Sequence, residues 1–320
     1  MSSVIDTATA YFPMHVPRAP QIQALDFITD AVLKGYPDIV ISAPTGAGKS
    51  GIGAAVALWG GSFDLNGFEK GGYYLVGQKL LQDQLENDFP RFHAKFRTAA
   101  ASLKSASEYP CRRYGNCAAG SMASKGDKGK MCAQRSDKSC PYTRARTRFD
   151  VADVAVTNYP YLFTEHMYKG DLEPRNMLIA DECHLLEKQI TSFIEVIVNR
   201  DTLDAWAPGC RPVPEMKYVE DFADWLKHSY ISMCTARMEM LIENLAANDY
   251  SNRKMQDELN KVKNHVGRIT YAVDQMLANP EDWVFWQESV DGELECTAKP
   301  ISAAPFMPQL IQEMGSTRLY

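Results

Sequence analysis

The sequence predicts an α/β fold built around a parallel sheet. Two short strings carry this prediction, because each directly follows an apolar run of strand type. Ala43–Ser50 follows Asp38–Ile41, and Asp181–His184 follows Met177–Ala180. After the first string, Ile52–Trp59 is rich in Ala, Ile, Val and Leu, which predicts a helix. The order strand, Gly-rich turn, helix is typical of parallel α/β proteins.

The first string has the pattern of a phosphate-binding loop. Its glycines let backbone N–H groups curl around phosphate oxygens, and the helix N-terminus adds positive potential. We expect Lys49 to contact the β- and γ-phosphates and the Ser50 hydroxyl to ligate Mg²⁺. The alternative is a loop of small residues that only leads into a helix. The predicted nucleotide contacts are Thr45, Gly46, Ala47, Gly48, Lys49 and Ser50.

The second string places two carboxylates at the end of a strand. Opposite a phosphate loop, Asp181 is expected to hold Mg²⁺, and Glu182 to orient and deprotonate the attacking water. His184 is expected to sense the γ-phosphate or to pass its state to the nucleic-acid side of the protein. The alternative is an ordinary acidic turn after a strand. With Lys49, these residues form the predicted catalytic set.

Composition predicts a globular intracellular protein. The chain has 320 residues, of which 45% are hydrophobic and 23% charged. No apolar stretch approaches the roughly 18 residues of a membrane span. Residues 1–18 lack the pattern of a secretory signal, so we expect a cytoplasmic protein, or a nuclear one in a eukaryote. Eight cysteines without an export signal favour thiols and metal ligands over disulfides.

A basic segment contrasts with the net charge of −6. Residues 104–148 contain eleven Lys or Arg against three acidic residues, a density that suits a phosphate backbone. The alternative is a solvated loop. The predicted contacts to DNA in this segment are Arg112, Arg113, Lys138 and Arg144.

The same segment carries four cysteines with the spacing C-x5-C-x14-C-x7-C, namely Cys111, Cys117, Cys132 and Cys140. Structural zinc sites usually bring their ligands as close C-x2-4-C pairs, and no such pair occurs here. Four isolated thiolates on a long loop can instead hold one [4Fe–4S] cluster. Zinc and unrelated buried thiols remain the alternatives.

Together these motifs resemble the XPD/DinG-like iron–sulfur helicases of superfamily 2. The resemblance covers residues 18 to about 186 and includes Val156–Leu162 after the last cysteine. It implies a RecA-like motor domain that uses ATP and Mg²⁺, a cluster domain acting as a wedge at DNA forks, and 5′ to 3′ translocation on single-stranded DNA. Gln21 resembles the family's adenine reader, and Tyr73–Leu85 resembles its motif Ia, which touches single-stranded DNA.

The chain departs from the family pattern at three points. Gly77 and Gln78 stand where motif Ia offers Thr, which puts one phosphate contact in doubt. Cys183 stands where the family usually has Ala. Thr317–Tyr320 is predicted to be a strand, and the family's Ser-Ala-Thr motif and second RecA-like domain with arginine fingers are expected beyond residue 320.

Helical periodicity over Val219–Ala247 and Asn252–Leu277 resembles the family's arch domain, and a helical accessory domain is the alternative. Trp283, Phe285 and Trp286 are predicted to pack where the chain returns to the sheet. The predicted domains are 1–100 and 150–190 for the motor, 101–149 for the iron–sulfur insert, 191–280 for the arch-like insert, and 281–320 for the return to the motor.

Three functions fit these patterns. The first is an ATP-dependent iron–sulfur DNA helicase represented by its first motor domain. The second is a P-loop ATPase with a zinc-binding insert that acts on RNA or protein. The third is a non-catalytic nucleic-acid-binding module that retains ATP binding.

Overall fold

The computed structural model describes residues 7–14, 16–63, 68–88, 99–111, 115–116, 139–168, 172–247, 252–290 and 292–320. The chain divides into two compact units. The first comprises Met1–Ser105, Tyr142–Gln189 and Ala304–Tyr320, and the second comprises Ala106–Pro141 and Ile190–Ala303.

The regular elements are numbered in chain order. The strands are β1 (Asp38–Ile39), β2 (Glu69–Val76), β3 (Ala100–Ser102), β4 (Pro110–Cys111), β5 (Gly115–Asn116), β6 (Val154–Asn158), β7 (Arg175–Ala180), β8 (Val196–Val198), β9 (Trp283–Val290), β10 (Glu293–Pro300) and β11 (Gly315–Leu319). The helices are α1 (Ala19–Leu33), α2 (Lys49–Trp59), α3 (Lys79–Asp88), α4 (Pro141–Asp150), α5 (Tyr159–Tyr168), α6 (Leu186–Ile194), α7 (Arg200–Trp206), α8 (Val219–Trp225), α9 (Ile231–Ala247), α10 (Arg253–Ala278) and α11 (Met307–Leu310).

The first unit is built on a six-stranded sheet with the order β1-β11-β7-β2-β6-β3. All five pairings in this sheet are parallel, which confirms the predicted α/β class. Strands β6 and β7 are buried along their whole length, as expected where helices cover both faces of a parallel sheet. The predicted strand at Thr317–Tyr320 is confirmed as β11, which pairs with β1 and β7.

Helix α2 is the core helix of the first unit. Every residue from Gly51 to Trp59 is buried, and the helix packs against β2 and β7. It is apolar on all sides, which is the pattern of a helix enclosed by protein rather than one that faces water. Since α2 begins directly after Gly48, its burial also fixes the position of the preceding loop.

The second unit contains the three-stranded antiparallel sheet β8-β10-β9 and helices α7 to α10. Phe222 of α8 stacks on Phe285 of β9, with ring centroids 5.1 Å apart. Helices α9 and α10 pack on each other, and a short π-helical segment at Leu226–Tyr230 connects α8 to α9. These helices lie close to the bounds that the periodicity predicts.

The fold differs from the sequence expectations at two places. Of the predicted strand Asp38–Ile41, only Asp38 and Ile39 are strand residues paired with β11, and the Ile41 N–H then donates to the carbonyl of Tyr320, directly after β11, at 2.8 Å. The aromatic run after α10 forms the hairpin β9–β10 in the smaller sheet, and the first unit takes up the chain again at Ala304. Trp283 is buried in this hairpin, whereas Trp286 is 40% exposed.

Of the helices in the described ranges, none combines the length and apolarity that crossing a membrane requires.

Candidate functional site

The carboxyl ends of β1, β7 and β11 meet at one edge of the six-stranded sheet. A cavity of about 320 Å³ opens there, and we call it the strand-end cavity. It is lined from the loop by Ala43 and Lys49, from the end of β7 by Asp181 and Glu182, and from the end of β11 by Tyr320. Ligands of open α/β sheets bind at this edge, and the volume lies at the lower end of the range for small-molecule sites. Ala43 and Lys49 of the first string therefore face one space with the whole of the second string, whereas Thr45 to Gly48 and Ser50 are not among the residues that line it.

The loop between β1 and α2 has the backbone that its glycines predict. Gly46 has φ of 81° and Gly48 has φ of 83°, in the left-handed region that favours glycine. Gly48 caps α2, so the first N–H groups of this helix have no acceptor within it. The Lys49 ammonium donates to the Ala43 carbonyl at 3.0 Å, and Ser50 is exposed. The loop thus presents backbone donors, one cation and one hydroxyl.

Arg18 and Gln21, at the start of α1, form hydrogen bonds to this loop. The Arg18 guanidinium donates to the carbonyls of Gly46 and Ala47 at 3.1 and 2.8 Å, and the Gln21 amide donates to Ala47 at 3.1 Å. The Gln21 side-chain oxygen accepts from the Arg18 backbone N–H at 2.8 Å. A Cβ at Gly48 would collide with the Gln21 amide, so the position of this amide against the loop requires glycine at residue 48. The structure therefore places the predicted adenine reader against the loop.

Two buried tyrosines hold Asp181. The Tyr74 hydroxyl donates to Asp181 Oδ2 at 2.9 Å, and the Tyr159 hydroxyl donates to the Asp181 carbonyl at 2.9 Å. Burial is the main cause that raises the pKa of the Asp181 carboxyl, and the neighbouring Glu182 adds to it. The bond from Tyr74 and the charge of Lys49 act in the opposite direction. Asp181 is thus a carboxylate whose charge a nearby cation would stabilise.

Glu182 lies at a strained turn beside Asp181. Its φ of 54° is the one positive value for a non-glycine residue within the described ranges. Its backbone N–H donates to Asp181 Oδ1 at 3.0 Å, and its carboxylate lies 3.3 Å from His184 Nδ1. Both side chains are partly exposed, which suits contact with solvent and ligand. Strained backbone of this kind clusters at functional sites.

The segment that resembles motif Ia divides into an exposed and a buried part. It comprises the end of β2 and the start of α3. Gln82 is fully buried and donates to Ser102 Oγ at 2.7 Å and to the Leu103 carbonyl at 3.0 Å. Gln78, Lys79 and Leu80 are exposed. Any contact of this segment with a nucleic acid therefore comes from its exposed residues.

The structure describes the cysteine segment only in part. Cys111 lies in β4, which pairs with β5, and both Cys111 and Cys140 are buried. Arg144 is exposed on α4. Cys117, Cys132, Arg112, Arg113 and Lys138 lie outside the described residues. In the part of the chain that is described, no group of three or more His, Cys, Asp or Glu side chains is placed to hold a metal ion.

The sequence predicts the loop and the acidic turn but not the side chains that support them. Tyr74 and Tyr159 look in sequence like ordinary strand and helix residues, and nothing local marks their contact with Asp181. Arg18 lies within the segment that resembles the adenine reader, but its bonds to the loop depend on the fold. Tyr320, which lines the strand-end cavity, gave no signal.

The fold and the cavity define a P-loop nucleotide-binding protein of the parallel α/β class. Residues 14–204 match the family described as "Type III restriction enzyme, res subunit". This match covers more than half of the chain, so the protein belongs to that family. The family's domain is the N-terminal motor domain of superfamily 2 helicases, which confirms the predicted class of motor. No curated protein matches the chain significantly.

Proposed function

We propose that this superfamily 2 motor belongs to an ATP-dependent DNA helicase of the iron–sulfur type that moves 5′ to 3′ on single-stranded DNA. The single observation that carries ATP use is the strand-end cavity, which brings Lys49, Asp181 and Glu182 together. Membership of a helicase motor family supports a nucleic-acid substrate. The preference for DNA and the direction of movement rest on the resemblance alone.

Each residue at the cavity has a proposed task. The backbone N–H groups of the loop and Lys49 bind the phosphates, and Glu182 orients and deprotonates the attacking water. His184, which contacts Glu182, senses the γ-phosphate, and Gln21 reads the adenine. In this proposal Gln21 leaves Ala47 when the base binds, and Arg18 continues to hold the loop.

The chain offers oxygen ligands that fit Mg²⁺. Ser50 contributes a hydroxyl and Asp181 a carboxylate, the hard ligands that this ion prefers. The raised pKa of Asp181 fits a position next to a divalent cation, which would favour the ionised carboxylate. When bound, the ion neutralises charge on the phosphates.

The iron–sulfur cluster is the second part of the proposal. The spacing of the four cysteines supports it, as does the burial of Cys111 and Cys140 in a segment with few large apolar side chains. Metal and sulfide analysis of protein purified without oxygen tests it. About four irons per chain with matching sulfide is expected. One zinc with no iron would support the alternative ATPase with a zinc-binding insert.

DNA binding is proposed for the basic segment and for the exposed start of α3. Arg144 is the predicted contact in this segment that the structure describes, and it is exposed. The proposal also includes a second motor domain in the same polypeptide. Among the residues that line the strand-end cavity in the described ranges, the basic ones are Lys49 and His184, and none is an arginine. In this proposal the second motor domain supplies the arginine finger.

A hydrolysis assay on the full-length protein tests the proposed function. ATP turnover should rise when single-stranded DNA is added and should fall with increasing salt. A protein that binds ATP with no hydrolysis, with or without DNA, would instead be the non-catalytic nucleic-acid-binding module. Stimulation by RNA and not by DNA would contradict the DNA assignment while retaining the motor.

A further inference from the structure

Tyr74 has a buried hydroxyl group at the proposed metal site, and the proposed catalytic scheme assigns no task to this hydroxyl. It lies within β2, its side chain is fully buried, and it is one of the residues that line the strand-end cavity. Its hydroxyl donates to Asp181 Oδ2 at 2.9 Å. One phenol hydroxyl therefore holds an oxygen of the carboxylate that is proposed to hold Mg²⁺.

The direction of this bond follows from the proton available. An ionised carboxylate only accepts, so Tyr74 donates its single proton to Asp181 Oδ2. The Glu182 backbone N–H donates to the other oxygen, Asp181 Oδ1, at 3.0 Å, so both oxygens of the carboxylate are held. Each oxygen keeps a further lone pair for a cation.

Packing fixes the Tyr74 ring in this position. Tyr74 pairs in register with Ile179 of β7 on one side and with Val156 of β6 on the other. Gly53 of α2 faces the ring, since a Cβ at Gly53 would lie 2.8 Å from Tyr74 Cε2. The ring thus has little room to turn, and its hydroxyl is aimed at Asp181 before any ligand arrives.

We propose that Tyr74 is a positioning residue that holds the Asp181 carboxylate in place and so preforms the divalent-cation site. This inference rests on the proposed function, because it assigns the cation to Asp181. Tyr74 does not touch the cation itself, so its removal should weaken cation binding and leave the phosphate cradle intact. Outer partners of metal ligands have effects of about 10- to 100-fold on metal affinity.

Tyr74→Phe tests the proposal, and Tyr73→Phe is its matched control. Tyr73 is the preceding residue of the same strand and is equally buried, but its hydroxyl donates to the Glu173 carbonyl at 2.7 Å. Mn²⁺ binding is measured by electron paramagnetic resonance in the presence of a nucleotide. Binding of a fluorescent nucleotide is measured separately in excess chelator, and thermal melting checks folding.

We expect Tyr74→Phe to lower the affinity for Mn²⁺ by about tenfold or more and to leave chelator-phase nucleotide binding unchanged. Tyr73→Phe should leave both affinities unchanged. Equal Mn²⁺ affinity in the wild type and in folded Tyr74→Phe would overturn the positioning role and leave the proposed function standing. Failure of the wild type to bind Mn²⁺ with nucleotide would overturn both.

If Tyr74→Phe does not fold, Gly53→Ala provides the decision. The added methyl group would lie 2.8 Å from Tyr74 Cε2 and 3.0 Å from Ile179 Cγ2, so it displaces the Tyr74 ring without changing the chemistry of any ligand side chain. Nucleotide binding in excess chelator checks that the phosphate loop is unchanged. A selective loss of Mn²⁺ affinity supports the proposal, and an unchanged Mn²⁺ affinity contradicts it.

Discussion

Glu182 is proposed to act in the chemical step itself, by activating the attacking water, and not to bind the nucleotide. Its carboxylate is partly exposed at the strand-end cavity, beside Asp181 and His184. Glu182→Gln keeps the shape and removes the base, so hydrolysis by the full-length protein should fall by about 10²- to 10⁴-fold. Nucleotide affinity should change little, because the phosphate cradle remains. A variant that hydrolyses ATP at close to the wild-type rate would remove Glu182 from the water-activating role.

Among individual residues, the sequence predicted those that belong to a local motif. Lys49 and Asp181 were predicted because a Gly-rich turn and an acidic turn each follow an apolar run. The parallel sheet then brings them to one edge, as that pattern implies. Arg18 and Tyr74 could not be predicted, because their contacts join positions that are far apart in sequence.

Strand β1 is held at the edge of the sheet mainly by its pairing with β11 and by one ion pair. The Arg318 guanidinium, which is largely buried, contacts both oxygens of Asp38 at 2.7 Å. The bond from Arg318 is the main cause that lowers the pKa of Asp38. Because β1 leads into the phosphate loop, this pair also anchors the nucleotide site.

Asp38→Asn should lower the free energy of unfolding by about 1–2 kcal/mol at pH 7, since Asp38 is partly exposed. The stabilisation is complete above about pH 4, the ordinary pKa of Asp, and is lost as pH falls through the lowered pKa of Asp38. The difference in the free energy of unfolding between the wild type and Asp38→Asn should therefore shrink below pH 4. Denaturant unfolding of both proteins across this pH range measures that difference.

Asp30→Asn is the control, because Asp30 forms an exposed pair with Lys34 on α1. Its effect on the free energy of unfolding should lie within about 0.5 kcal/mol. Equal effects of the two substitutions would show that the Arg318 pair does not stabilise β1.

Some elements were predicted less well, for physical reasons that can be named. The apolar run Asp38–Ile41 looks like a four-residue strand, but the assigned strand ends at Ile39, opposite Leu319 of β11. A further backbone bond follows, from the Ile41 N–H to the Tyr320 carbonyl at 2.8 Å. The aromatic run Trp283–Trp286 was predicted to pack against the main sheet. Its alternation of buried and exposed residues is a strand signal, and it pairs with β10 instead.

The cysteine segment is expected to depend on its metal. It has too few large apolar residues to offset a backbone entropy cost of about 1–2 kcal/mol per residue. Cys111→Ser should remove the visible absorption of the cluster and make the segment sensitive to protease. It should also lower unwinding far more than ATP binding, because the phosphate loop lies outside the segment.

Cys296→Ser is the matched control for that experiment, since Cys296 is also buried but belongs to β10. It should leave the absorption unchanged. Loss of colour in both variants, or in neither, would contradict the assignment of Cys111 as a cluster ligand.

For the whole molecule, we predict that residues 1–320 alone hydrolyse ATP poorly. Charge that develops on the γ-phosphate needs an arginine, which in related chemistry contributes about 10³–10⁵ in rate. None of the described residues that line the strand-end cavity is an arginine. Hydrolysis measured at a dilution that excludes dimers checks this, and rapid DNA-stimulated turnover would indicate a self-sufficient site.

If the strand-end cavity binds a nucleotide through the phosphate loop, the loss of Lys49 must weaken that binding. Equilibrium binding of fluorescent Mg·ATP is therefore measured for the wild type and for Lys49→Ala. We expect saturable binding by the wild type and a loss in affinity of about tenfold or more in Lys49→Ala, because a charge-assisted contact to the phosphates is removed. Equal affinity of the two folded proteins, or no binding by the wild type, would contradict it.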